Sequence, residues 1–351
     1  MTIKPGALRF NTDSMKLEIF RGSANYEGTA SMAGIGTLAA GQWEEIVATS
    51  PEVQTGGTRG VYGSGFSPAA PTVVKTTEHI NLASTGNGTS FGDLANSARF
   101  GANGCASRTR GIFAGGATPT RLSDIDTFVI ASTGSATDFG NLREVKAEFG
   151  VSSNETRGIF MGGNRAPNPL SSDIDYITIA TTGTSIDSGG DILNAAEQTG
   201  GTSSQTRAFG VGGNAPSQVN TIQFMTISTL GNTADFGDLT EARRNGGACS
   251  NAVLALYAGG DTPTNQDIID YFTMATLGNA SDFGDLSDPR DGVVNGMASP
   301  TRGVWAGGYT PTVVNLIEYV QFASKGDAID FGDTNSVRYY NAACTNGHGG
   351  L

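Results

Sequence analysis

Short apolar runs alternate with clusters of turn residues along most of this chain, and the alternation is periodic. One stretch shows the unit. Residues 245–251 are small. An apolar run at 253–258 ends in Gly259-Gly260, and a polar stretch with Pro263 follows. A bulky run at 267–275 leads through the turn Leu277-Gly278-Asn279 into a short segment at 281–286. Four short segments separated by turn signals predict four β-strands. The bulky run Asp-Ile-Asp-Tyr-Ile-Thr-Ile-Ala at 173–180 carries large residues on both faces, as expected of a strand covered on both sides.

The unit recurs six times. The phenylalanine of Asp-Phe-Gly or its counterpart stands at Phe91, Phe139, Phe236, Phe283 and Phe331, with Ser188 in the remaining slot, giving steps of 48, 49, 48, 47 and 48. An acid keeps the same beat at Glu78, Asp126, Asp175, Asp270 and Glu318, with Gln223 in the fourth slot. Gly-Gly pairs end the second segment at 115–116, 162–163, 212–213, 259–260 and 307–308, with Ser64-Gly65 in the first repeat. A period near 48 built from β segments predicts a propeller or solenoid. The first segment of each repeat is small and the third bulky, which favours a closed ring with crowded strands at its axis. The first repeat lacks a first segment and the last has a spare one at 339–346. The expected fold is therefore all-β, a six-bladed β-propeller over residues 55–351 closed by a C-terminal strand, with closure removing two exposed sheet edges.

The Gly-Gly pairs, each following a Thr-Arg-Gly or Thr-Arg-Ala start (Arg59, Arg110, Arg157, Arg207, Arg302), resemble kelch and galactose-oxidase-like propellers. The blade tryptophan of those repeats is missing, and the phenylalanine of Asp-Phe-Gly is expected to take its packing role. The acid of the third segment is placed to pair with the arginine of the neighbouring second segment. The gaps at Leu254 and Gln223 fall in different repeats, so a uniform ladder of such pairs is not required.

Residues 1–50 lie outside the repeat. Gly6, Arg9, Phe10, Asn11, Thr12, Asp13, Lys16, Leu17 and Glu18 form a run that predicts a hairpin, and Trp43 begins a Trp-Glu-Glu-Ile sequence. This order resembles a short element of tail-fibre and other virion proteins of tailed phages. The blades resemble repeat proteins of phages that infect marine cyanobacteria. The resemblance implies a non-enzymatic structural protein of the particle: a fibre, a neck or tail appendage, or a surface decoration. It makes Arg9, Phe10, Asn11, Asp13, Lys16 and Trp43 attachment candidates. The partners it implies are other virion proteins through the N-terminal module, a second copy of the chain, and a host-surface glycan.

Composition narrows the alternatives. Net charge is −12 with no basic stripe, which argues against nucleic-acid binding. No run of about 20 apolar residues predicts membrane insertion. The first residues lack the apolar core of a signal peptide, so virion assembly from the host cytoplasm is the expected route. The three cysteines, Cys105, Cys249 and Cys344, share one slot and are expected to be unpaired fillers. A galactose-oxidase-like copper site needs converging ligands. The two histidines, His79 beside Glu78 and His348 in a Gly-rich tail expected to be flexible, do not converge, and no metal or cofactor is expected. The stretch 185–190 echoes a sialidase Asp-box without its tryptophan. A propeller-type sugar-active enzyme, sialidase- or galactose-oxidase-like, is the alternative. Ligand-binding candidates come from the variable loops at 66–73, 117–123, 164–172, 214–220, 261–266 and 309–314: Arg121, Asn164, Arg165, Asn214 and Tyr309.

Overall fold

The computed structural model describes residues 7–11, 16–21, 42–45, 57–68, 72–165, 170–293 and 295–351. The chain divides into two compact units, residues 1–51 and 52–351.

The first unit contains an antiparallel hairpin, Leu8–Asn11 with Lys16–Arg21, extended by Gln42–Glu45. In register, Phe10 lies opposite Leu17, Asn11 opposite Lys16, and Phe20 opposite Trp43. The hairpin turn with Asp13, and residues 22–41, lie outside the described residues.

The second unit is a six-bladed β-propeller. Each blade is a four-stranded antiparallel sheet. Blade 2 runs Asn103–Ala106, Arg110–Ala114, Asp124–Val129 and Thr137–Asn141 from the axis outward. The inner strands of blades 3 to 6 are Gly150–Ser153, Gly200–Ser203, Gly247–Ser250 and Met297–Ala298. Blade 1 takes its inner strand from the far end of the chain: Ala342–Thr345 pairs with Arg59–Gly63, Cys344 opposite Val61. The six inner strands contact one another in a closed circle. Their small residues let them crowd the axis. The remaining channel holds about 40 Å³, room for a few waters and no sugar ring. The three cysteines are buried and free.

The repeated motifs turn out to be joints between or within blades. The phenylalanines of Asp-Phe-Gly pack across the blade interface, Phe91 against Phe128 and Phe236 against Phe272, both with ring centroids 5.3 Å apart. The following glycine abuts the turn of the next blade. A Cβ on Gly140 would lie 2.2 Å from the Gly183 carbonyl oxygen, and one on Gly332 2.6 Å from that of Gly86. Carbonyls beside these glycines accept hydrogen bonds from the same turns: Phe91 from Gly134, Phe139 from Gly183 and Phe331 from Gly86, each at 2.8 Å.

The expected partnership of the third-strand acid is corrected. The Thr-Arg arginines do not meet it. They reach the next blade and donate to carbonyls at the end of its third strand: Arg110 to Ile179 (2.8 Å), Arg207 to Met274 (2.8 Å) and Arg302 to Leu82 (3.0 Å). The acids pair instead with a buried base on the link that enters their own blade. The pairs are Arg99–Asp126 (2.5 Å), Lys146–Asp175 (2.9 Å), Arg243–Asp270 (2.7 Å), Arg290–Glu318 and Arg338–Glu78. Blade 4 has Ala196 in the slot of the base and neutral Gln223 in that of the acid. Gln223 still accepts from the link, through the Leu193 amide at 2.9 Å. Burial explains the coupling, because an acid left there alone would be an unpaired buried charge.

The tail expected to be flexible is also corrected. His348 is half-buried at the axis, its Nε2 3.0 Å from the Ala106 carbonyl and 3.2 Å from Ser153 Oγ. Gly349 donates to Ser250 at 2.8 Å, and Leu351 is buried. Residues 347–351 therefore close the end of the channel where the inner strands finish. Glycine is required there: a Cβ at Gly350 would stand 1.9 Å from the Ser153 carbonyl oxygen.

Candidate functional site

The opposite end of the axis, where the inner strands begin, is built differently. Six links enter the inner strands there. One slot of each, Gly101, Glu148, Gln198, Asn245, Gly292 and Tyr340, has a left-handed backbone with φ between 53° and 67°. Four of these are not glycine, and each such residue costs about 1–2 kcal/mol. Their amides and carbonyls chain around the mouth. Glu148 donates to Gly101 (2.9 Å), Gln198 to Glu148 (2.6 Å), Asn245 to Gln198 (3.1 Å), Tyr340 to Gly292 (2.9 Å), and Gly101 to Tyr340 (2.9 Å). These five bonds hold four chemically different side chains at fixed places around this end of the axis.

Beside this ring lie Glu197, Arg244, Asp261 and Asp291. Arg244 Nε sits 3.1 Å from Asp261 Oδ2, and Asn245 Nδ2 donates to Asp261 Oδ1 at 3.1 Å. Burial and then the neighbouring Asp261 raise Asp291 to about 6. Burial and then Glu197 raise Glu148. Burial, followed by Asp291 and Glu148, pushes the Tyr340 hydroxyl up. Polar atoms around the mouth stay without a partner in the protein: Gln198 Oε1, Asn245 Oδ1, Asp291 Oδ1, Glu197 Oε2 and Arg121 Nε among them. Native interiors leave few such atoms, and they call for an explanation.

An aromatic patch adjoins the acids. Tyr309 and Tyr339 pack at a tilt with centroids 5.7 Å apart, as do Tyr339 and Tyr340 at 5.0 Å, and Phe66 meets Tyr339 edge-on at 5.2 Å. Tyr309 is 39% exposed. Its backbone pairs with Asp291, each amide donating to the other's carbonyl (2.9 and 3.1 Å), so platform and acid are held together.

The loop residues expected to bind a ligand divide. Tyr309 forms the platform. Arg121 lies close enough to Glu148 to act on its carboxyl. Asn214 donates to Glu197 at 3.2 Å. Asn164 lies opposite Ala147 with its Oδ1 unpartnered. Arg165 is held by Glu144 and Asp173 and is spent locally. Of the attachment candidates, Arg9, Phe10, Asn11, Lys16 and Trp43 lie on the strands of the first unit, and Asp13 lies outside the described residues. Sequence reasoning missed Glu148, Gln198, Asn245, Asp291, Tyr339 and Tyr340. Their signal was a pair of adjacent slots that varies through the six repeats, reading Phe-Gly, Ala-Glu, Glu-Gln, Arg-Asn, Asp-Gly and Tyr-Tyr.

A search against models of known protein families finds no match, and a comparison with curated proteins finds no relative. Geometry alone therefore ranks the candidates. A larger hollow of about 370 Å³ lies on the opposite face, lined by Gln205, Arg207, Val253 and Met274. Its charged group, Arg207, is already committed to the Met274 and Ala275 carbonyls. Among the described residues no group of three or more His, Cys, Asp or Glu is placed to hold a metal. The mouth, where unrepeated polar side chains lie beside the exposed Tyr309, is the stronger binding candidate.

Proposed function

We propose that the chain is a non-enzymatic structural protein of a phage particle, attached to other virion proteins by residues 1–50, whose propeller presents its mouth to a host-surface glycan. One observation carries the reading. The chemistry-bearing motifs that repeat are used up in blade joints, whereas the unrepeated polar and aromatic groups collect at one mouth. Aromatic faces beside hydrogen-bonding groups suit sugar rings, which offer a C–H face and hydroxyl edges. The N-terminal run from Gly6 to Glu18, similar to attachment elements of tailed-phage proteins, supports the particle setting.

A second reading has its own support. Asp291, raised to about 6 and next to Asp261, is the kind of carboxyl that serves as a general acid near neutral pH. That favours a sugar-active enzyme. A glycan array run beside a glycoside-hydrolase screen on the full chain separates the two. Binding without turnover is expected. Turnover abolished by Asp291→Asn would replace the first reading with the second.

A further inference from the structure

We propose that residues 347–351 are an acid-released latch: they cap one end of the axis while the His348 ring is neutral, and leave it, with the propeller still closed, when the ring becomes doubly protonated.

The hydrogen bonds of that ring allow one neutral tautomer. The Gly350 amide lies 3.1 Å from Nδ1, and an N–H can only donate, so Nδ1 is the bare acceptor. Nε2 then carries the proton and donates to the Ala106 carbonyl at 3.0 Å. A second proton has one place to go, Nδ1, where it meets the Gly350 N–H donor to donor. That bond breaks, and a charged ring is left half-buried. Nothing that lines the channel compensates the charge. Cys105, Cys249 and Cys344 line it with His348, and burial pushes all three thiols up, which keeps them neutral. No Asp, Glu, Lys or Arg stands among the described residues that line it. Arg108 and Glu155, on the turns that follow the inner strands of blades 2 and 3, pair with each other at 3.6 Å. The tail itself carries the terminal carboxylate of Leu351, which titrates in the same acid range.

The latch is slight and separable from the ring. Asn346 ties the chain into blade 1, its amide donating to the Arg59 carbonyl and its carbonyl accepting from Gly57 (3.3 and 2.6 Å). Beyond it the tail brings three glycines and the side chains of His348 and Leu351. The tail crosses the ends of other blades' inner strands: a Cβ at Gly349 would stand 2.1 Å from the Asn251 carbonyl oxygen, and one at Gly350 1.9 Å from that of Ser153. Burial, opposed by the Ala106 carbonyl, holds the docked His348 at about 4, whereas a released one returns to near 6.5. Acid therefore favours the released tail by up to roughly 300-fold, the ratio of those two proton affinities.

The test is hydrogen exchange of the full chain from neutral pH down to about pH 4, corrected for the intrinsic rate, with near-ultraviolet circular dichroism to follow the ring. Protection of the amides of residues 349–351 should fall about a hundredfold or more, while the inner strand Gly247–Ser250 stays protected and the dichroism is unchanged. In His348→Gln the profile should be flat with pH. Joint loss of protection from tail and inner strands would overturn the latch, as would a tail that stays protected in acid. The same acid step in His348→Gln would move the trigger to Leu351 and overturn the role given to His348. If that variant does not fold, nitrogen-15 shifts of the His348 ring decide. A bare Nδ1 at neutral pH, with release that tracks the ring's titration, supports the latch, and a ring protonated at Nδ1 at neutral pH overturns it.

Discussion

Arg243 and Asp270 are each fully buried in blade 5, and Arg243 also donates to the Ile268 carbonyl at 2.9 Å. Removing one partner of such a pair leaves an uncompensated charge, at a cost of about 3–5 kcal/mol, whereas exchanging both for neutral groups is often nearly neutral. Blade 4 already carries that exchange as Ala196 and Gln223. Arg243→Ala should therefore be severely destabilising in chemical denaturation. The double variant Arg243→Ala with Asp270→Gln should recover most of the loss. Additive losses would show that the two residues act separately. The pairing was hidden in the sequence because another arginine, that of Thr-Arg, keeps the same period and lies nearer the acid along the chain. The clue was the coincidence of exceptions: Leu254 and Gln223 fall in different repeats, whereas Ala196 and Gln223 fall in the same one.

At the scale of the strand, periodicity made the blades readable. The segments expected at 245–251, 253–258, 267–275 and 281–286 correspond to Gly247–Ser250, Leu254–Ala258, Ile268–Thr273 and Ser281–Asp285. The spare final segment does complete blade 1, although the strand begins only at Ala342. Tyr339 and Tyr340 belong to the mouth, which composition alone could not reveal because bulky residues look equally suited to a strand. Deleting residues 338–351 removes the inner strand of blade 1, the Arg338–Glu78 pair and the cover over Val61 and Tyr62. It also opens a sheet edge. The loss should be several kcal/mol or more, comparable with emptying several core positions. Circular dichroism and sedimentation should show aggregation or failure to fold. A truncated chain that melts within a few degrees of the intact one would mean that the ring is closed by some other segment.

At the scale of the whole molecule, the ends of the axis do different work. One is sealed by the tail. Burial lowers His348 to about 4, with the Ala106 carbonyl opposing the shift. The unfolded chain takes up this proton near 6.5 and the folded chain only near 4, so the contribution is present above 6.5 and is lost as pH falls toward 4. Relative to His348→Gln, the native protein should lose roughly 3 kcal/mol across that window, read from denaturation midpoints. A constant difference between the two would contradict a histidine held neutral in the folded chain. The other end of the axis carries the groups that break the repeat. Its chemistry was invisible to motif reading because it is spread over six links about 48 residues apart, one or two residues from each. The most direct measurement is a crystal structure of the full chain grown with an oligosaccharide that it binds. The sugar should lie over Tyr309 at the mouth. Sugar seated instead in the hollow beside Val253 and Met274, with the mouth untouched, would contradict the assignment of recognition to the mouth.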